Sequence, residues 1–227
     1  MIPANKKGPL GALWRRYVDG KLARTFRGVW LRGTLPSAPR GILVYANHGS
    51  FWDGFALHAL ARGAGWDGYC MMEEANLARW PFLARIGAFS VVPGDARSAV
   101  ASVRYARGLL AVPGAMVGCF PEGVLTAGGA GLQPLRRGVE LLARAPEVTC
   151  VPLGIRCAFF EHEKPDLLLE LGAPHGAATL PHFEQALAAQ VSAVMGARSL
   201  EGFALLRRGR PGVAERWRGV FSSAGGS

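Results

Sequence analysis

A chain of 227 residues, half of them hydrophobic and 19% charged, has the composition and length of one globular α/β domain with a sizeable core. Its formal charge of +10 and pI near 10.2 imply an anionic partner, either nucleic acid or an anionic membrane surface. Four cysteines without a CxxC pair speak against a zinc site, and no apolar stretch is long and uninterrupted enough for a membrane-spanning helix or a cleaved signal peptide.

The first 33 residues are predicted to be helical, basic and amphipathic. Large apolar side chains fall at Leu10, Leu13, Trp14, Tyr17, Val18, Leu22, Phe26, Val29 and Trp30, spacings of three and four that build one apolar, aromatic face. Arg15, Arg16, Lys21, Arg24, Arg27 and Arg32 fill the gaps, and Asp19 is the only acid before Asp53. Gly20 and Gly28 are expected to divide the helix. Such a helix suits the headgroup boundary of a bilayer, where each cation near an anionic surface adds about 1 kcal/mol of attraction. The same pattern fits a helix packed on the domain's own core with a solvated basic face. Residues 1–33 are read as a membrane-docking segment and residues 34–227 as one domain.

Leu35 to Pro39 reads as a turn or linker, and Gly41 to Ala46 as a buried strand of a parallel sheet. A helix follows over Gly54 to Ala61 and is broken at Gly63-Ala64-Gly65. Tyr69 to Met72 is a strand, Leu77 to Ile86 a short helix, and Ala88 to Val92 a strand closed by the Pro93-Gly94-Asp95 turn. Ser98 to Leu110 is predicted helical, with Val100, Val103, Leu109 and Leu110 inward and Arg97, Arg104 and Arg107 outward. Ala115 to Phe120 is a strand ending in Pro121-Glu122-Gly123, and the glycine-rich stretch Val124 to Leu132 is expected to be mobile. Leu135 to Ala145 is a helix with Arg136 and Arg137 near its start; Val148 to Ile155 and Leu167 to Leu171 are strands; Phe183 to Met195 is a helix. The chain closes on a basic segment with Arg198, Arg207, Arg208, Arg210, Arg216 and Arg218 and a loose six-residue tail. Strands alternating with helices predict an α/β fold: a mixed, largely parallel sheet flanked by helices, with an N-terminal amphipathic helical element. Cys70, Cys119, Cys150 and Cys157 lie in apolar, strand-like stretches and read as reduced core residues of a cytosolic protein.

The polar cluster Asn47-His48-Gly49-Ser50, with Asp53 beyond it, sits at the carboxyl end of the first strand after the linker, where open α/β sheets place their chemistry. Ser50 and Asp53 match a capping box, which makes Ser50 the expected N-cap and folds Asp53 back toward His48. A histidine whose second ring nitrogen is held by a carboxylate acts as a general base. No GxSxG elbow is present, so the base is expected to act directly on a substrate hydroxyl. The same residues would equally serve as a plain helix cap and an ordinary turn histidine. His58, His162, His175 and His182 have no partner pattern and read as structural or surface residues.

Asn47-His48 with Asp53 five residues on resembles the NHx4D signature of the glycerophospholipid acyltransferase superfamily, of the lysophosphatidate acyltransferase type. Gly87 to Val91 resembles the family's second block, Phe120-Pro121-Glu122-Gly123 the third, and Val151-Pro152-Leu153 the fourth, in the family's order across residues 40–155. The resemblance implies that His48 takes a proton from an acceptor hydroxyl and that Asp53 orients His48. The hydroxyl then attacks the thioester of acyl-CoA or acyl carrier protein, a co-substrate; no cofactor is implied. It implies no covalent acyl-enzyme, and an oxyanion held by backbone amides or by the Phe120 to Gly123 turn. It places Asn47, Ser50, Phe120, Pro121, Glu122 and Gly123 at the substrate, with Glu122 and Gly123 binding the acceptor. It also implies a lysophospholipid or related lipid alcohol as acceptor, and peripheral attachment to the inner face of the cell membrane through the N-terminal helix.

The chain departs from the family at two arginines associated with the acceptor phosphate. Val92-Pro93 stands where V-D-R is usual, and Val124-Leu125-Thr126 follows F-P-E-G in place of Thr-Arg-Ser. Neither Pro nor Leu imitates the bidentate contact of a guanidinium with phosphate. Arg97, or Arg136 and Arg137, are the candidates to compensate, and the acceptor is expected to be a lipid alcohol without a glycerol-phosphate headgroup, such as a glycosylated isoprenoid or an aminolipid. Acyl-thioester hydrolysis with His48 activating water is the alternative. Nucleic-acid binding is less favoured, because the basic residues interleave with an apolar helical stripe and no recognition module is readable.

Overall fold

The computed structural model describes residues 1–37, 40–126 and 131–213. Parts of the expected linker at 38–39, of the glycine-rich stretch at 127–130, and Arg216, Arg218 and the tail lie outside the described residues. Eight strands form one sheet in the order β4-β3-β5-β2-β6-β7-β1-β8. They are β1 (Gly28–Arg32), β2 (Ile42–Ala46), β3 (Asp67–Glu73), β4 (Ala88–Val91), β5 (Ala115–Cys119), β6 (Thr149–Ala158), β7 (Asp166–Leu171) and β8 (Ala204–Arg208). The helices are α1 (Pro9–Thr25), α2 (Asp53–Gly63), α3 (Glu74–Arg79), α4 (Ala96–Leu110), α5 (Gly138–Ala143) and α6 (Leu180–Gly196). Pairing is parallel except between β6 and β7 and between β1 and β8, so the expected mixed, largely parallel sheet is what forms.

The central strand β2 is buried over its whole length, because helices cover both faces. Successive side chains of a strand point to opposite faces. Ile42, Val44 and Ala46 pack with Val18 and Leu22 of α1 and with Ala56, Leu57 and Leu60 of α2. Leu43 and Tyr45 pack with Ala106 and Leu110 of α4, Leu142 of α5 and Phe183 and Leu187 of α6. On the second face the Tyr45 hydroxyl meets His175 Nε2 at 2.7 Å, a structural place for that histidine.

Four expectations are corrected. The N-terminal helix ends at Thr25, and Val29, Trp30 and Leu31 belong to β1, between β7 and β8. Residues 1–33 are therefore not one helical segment, since their last part is woven into the domain's sheet. Strand β8 lies in the closing basic segment, for which no element is predicted. Val100 faces solvent, because α4 turns the line Ser102, Ala106 and Leu110 to the core. The helix expected over Leu77 to Ile86 is interrupted at Trp80: α3 ends there, and a 3₁₀ turn runs from Pro81 to Ile86, since proline disfavours helical backbone in the residue before it.

Candidate active site

Strands β2 and β5 lie side by side and parallel, yet the chain leaves them toward opposite faces, to α2 after β2 and to α5 after β5. That divergence opens a crevice at the carboxyl ends of the two strands. One wall is Asn47 to Asp53, the other Phe120 to Thr126.

The first wall is organised by the buried carboxylate of Asp53. Its Oδ2 accepts from His48 Nδ1 at 2.9 Å, from the Gly49 amide at 2.8 Å and from the Ser50 amide at 2.8 Å. Its Oδ1 accepts from the Ser50 hydroxyl at 2.6 Å. A carboxylate only accepts, so the proton on this side of the imidazole sits on Nδ1 and Nε2 carries the free lone pair. The expected capping box forms by half. Asp53 takes the Ser50 amide, but α2 begins at Asp53 with Trp52 as N-cap, and the Ser50 hydroxyl accepts from the Trp52 amide at 3.2 Å. The turn is built around the carboxylate, which gathers four donors, rather than around the end of the helix.

Asn47 is expected at the substrate, yet it is buried. Its Oδ1 accepts from the Ile155 amide at 2.7 Å and its Nδ2 donates to the Ile155 carbonyl at 3.0 Å. It extends the β2–β6 pairing by one side chain and so fixes where His48 begins. Ser50 is likewise occupied by Asp53 and Trp52.

The second wall holds His48 from across the crevice. Glu122 Oε1 accepts the His48 amide at 2.8 Å, and Oε2 accepts the Gln133 amide at 2.9 Å. The Thr126 amide donates to the His48 carbonyl at 2.8 Å. The ring of Phe120 stacks on the imidazole at 4.3 Å and 16°. Glu122, read as acceptor-binding, thus has both oxygens on backbone amides. The amides of His48, Gly49 and Ser50 all have partners, and Gly123 N–H donates to the Phe120 carbonyl at 3.0 Å. None of these four is open to an oxyanion in this arrangement.

Beside His48 lies a cavity of about 1180 Å³. Strand β3 pairs with β5 only as far as Cys70 and Gly118, then continues with β4 alone, and the seam so opened is at the His48 end of the sheet. The cavity follows β3 from Asp67 to Glu73 between apolar side chains such as Leu57, Met71, Val103 and Leu142. The seven-residue strand that it follows spans roughly 20 Å. Of the site residues expected from sequence, His48, Phe120, Pro121, Gly123 and Arg136 line it. Asn47, Ser50, Asp53 and Glu122 stand behind them, and Arg97 and Arg137 do not reach it. The nearby Cys157 meets the Ser50 hydroxyl at 3.8 Å, with burial pushing its thiol pKa up, so it is not poised as a thiolate.

The sequence gives no hint of a second histidine–carboxylate contact. His58 Nε2 of α2 lies 3.4 Å from Asp19 Oδ1 of α1, which also pairs with Arg207 at 2.8 Å and Arg62 at 3.8 Å. These residues are far apart in the chain, and only the packing of α1 on α2 and β8 joins them.

A family model described as acyltransferase matches residues 32–156, more than half of the chain. Among solved structures the chain is similar to the crystal structure of the 1-acyl-sn-glycerophosphate (LPA) acyltransferase PlsC from Thermotoga maritima. The TM-score is 0.60 at 15% sequence identity, covering 83% of this chain and 83% of that chain, a likeness of fold. No protein with a curated description matches the sequence.

Proposed function

The chain belongs to the acyltransferase family, and from that premise we propose that it moves a fatty acyl group from a thioester donor, acyl-CoA or acyl carrier protein, to the hydroxyl of a lysophospholipid or related lipid alcohol. The observation that carries this reading is the His48–Asp53 pair at 2.9 Å, with Nε2 left unengaged beside a long apolar cavity. In this reading Nε2 takes the acceptor's hydroxyl proton as its oxygen bonds to the thioester carbonyl carbon. The tetrahedral oxyanion collapses, the carbon–sulfur bond breaks, and the leaving thiolate recovers the proton from Nε2. Asp53 stabilises the transient imidazolium. The apolar cavity takes the acyl chain, with each buried methylene contributing about 0.8 kcal/mol.

The reading includes peripheral docking on an anionic membrane, proposed for the inner face of the cell membrane, and the exposed side chains of α1 support a membrane contact. Leu10, Leu13 and Tyr17 of α1 are exposed, as is Trp80 on the adjoining turn. Trp14 and Tyr17 pack on Phe82 of that turn. Lys7, Arg15 and Lys21 line the same cavity as His48, as does Lys6, which pairs with Asp67; cations there favour an anionic headgroup. Among the described residues no helix is long and apolar enough to cross a membrane.

The test is thiol release and lipid mass spectrometry with purified protein, acyl-CoA and a lysolipid. Acyl-ester product that needs the lysolipid supports transfer, whereas free fatty acid formed at the same rate without it supports the hydrolase alternative. His48→Ala and Asp53→Asn each lose about 10²- to 10⁴-fold in kcat, the usual contribution of a positioned base; retained turnover in both sinks the reading.

A further inference from the structure

The segment from Gly131 to Arg137 is stitched to the turn that anchors His48. The Gln133 amide donates to Glu122, and the Arg136 amide donates to the Pro121 carbonyl at 2.8 Å. This seats the Arg136 guanidinium on Gly123. A Cβ at Gly123 would lie 2.4 Å from Arg136 Nε and 2.6 Å from Cζ, and the Gly123 φ of +68° is itself one that side chains rarely adopt. The backbone conformation calls for glycine here, and the side chain that rests on it is a cation. Arg27, Arg32, Arg40 and Arg207 each pair with a carboxylate, and Arg156 caps three carbonyls at the end of α6. Among the described residues Lys7, Arg15, Lys21 and Arg136 line the cavity that His48 lines without an ion pair to a carboxylate, and of these four it is Arg136 that rests on the turn holding His48. Leu125 and Pro93 line it too, as neutral side chains.

We propose that Arg136 is the specificity-determining cation of this site and binds a phosphate group of a substrate placed for reaction at His48. This rests on the acyl-transfer reading above and deepens it. The planar fork matches a phosphate in bidentate fashion, and the uncompensated charge beside an apolar cavity supplies the attraction. Phosphate reaches the site from two sources, the headgroup of a phosphate-bearing acceptor or the nucleotide part of a CoA donor. A headgroup source would replace the expectation of a phosphate-free acceptor, drawn from Pro93 and Leu125, with a guanidinium from the residues just before α5; a donor source would leave that expectation standing.

The experiment compares wild type, Arg136→Ala, Arg136→Lys and, as a control, the exposed α4 variant Arg104→Ala. Donors are oleoyl-CoA and the phosphate-free oleoyl-N-acetylcysteamine; acceptors are lysophosphatidate and monoacylglycerol. Arg136→Ala is expected to raise KM about 10- to 100-fold for one phosphate-bearing substrate, leaving kcat and the KM of its phosphate-free counterpart within about twofold. Arg136→Lys recovers part of the loss, and Arg104→Ala matches wild type. A penalty tied to lysophosphatidate identifies the headgroup, and one tied to oleoyl-CoA the donor. Equal penalties with and without phosphate, or a fall in kcat alone, which would mark an oxyanion contact, overturn the proposal. If wild type turns over no substrate, the transfer reading fails separately. Calorimetric titration of wild type and Arg136→Ala with lysophosphatidate and with CoA then decides on Arg136 by itself: a Kd weakened at least tenfold for either ligand supports the proposal, and anything less overturns it.

Discussion

Glu122 reaches across the crevice to accept the main-chain N–H of His48 at 2.8 Å, so the residue proposed as general base, just beyond β2, is held in place by a carboxylate of the turn after β5, 74 residues away. Glu122 is 5% exposed and its second oxygen holds Gln133. One side chain therefore fixes both the base and the segment that carries Arg136.

Replacing Glu122 by Gln turns one acceptor into a donor facing a backbone amide. Leaving such an amide unsatisfied costs about 1–3 kcal/mol, a fall in Tm of roughly 2–4 °C per kcal/mol for a chain of this size. The positioning role predicts a lower kcat with acceptor KM little changed, measured by thermal melts and steady-state kinetics. A rise confined to acceptor KM would return Glu122 to direct substrate binding.

Burial pushes the Asp19 carboxyl pKa up, but His58, Arg207 and Arg62 outweigh it and hold the carboxyl below its usual 3.8. A depressed pKa in the folded state stabilises the protein above the unfolded value and ceases to do so as pH falls through the folded one. Asp19→Asn is expected to cost about 2 kcal/mol at neutral pH, since it removes the charged hydrogen-bond partner of the part-buried Arg207. The gap in Tm between variant and wild type should close below about pH 4. A gap independent of pH would refute the electrostatic origin.

The apolar side chains of α1 divide by burial, and the division predicts opposite phenotypes. Leu22 is 1% exposed and Leu13 is 60% exposed. Leu22→Ala should lower stability by about 2–5 kcal/mol. Leu13→Asp combined with Tyr17→Ser should leave stability within about 0.5 kcal/mol and reduce co-sedimentation with anionic vesicles. Unchanged vesicle binding in the folded double variant would remove α1 from the membrane contact.

Cys157→Ala should keep kcat within roughly threefold, and intact-mass spectra of wild type during turnover should carry no acyl adduct. The reason is the raised thiol pKa of Cys157 and its contact with Ser50 rather than with a base. An acylated Cys157 together with an inactive variant would replace direct transfer by a two-step route.

The reach of sequence reasoning differs by residue. Val29-Trp30-Leu31 continues the helical spacing of α1, and short apolar runs fit strand and helix alike; pairing with β7 and β8 settled it. Ser50 and Asp53 were legible as a linked pair because a turn is local. That the link serves His48 and two amides depends on how the loop closes. Asn47 and Glu122 were legible as site residues but not as supports, since their partners Ile155 and Gln133 lie on other strands and loops.

The sequence by itself determined the alternation of strand and helix, the basic and aromatic N-terminal helix, and the base with its carboxylate. Each of these is encoded within a few residues of chain, by periodicity or by a turn. Tertiary structure alone decided which polar side chains face the cavity, that β3 parts from β5 to open it, and that Arg136 rests on Gly123. Those outcomes depend on which strands become neighbours, and neighbours in a sheet are chosen by the packing of both its faces at once.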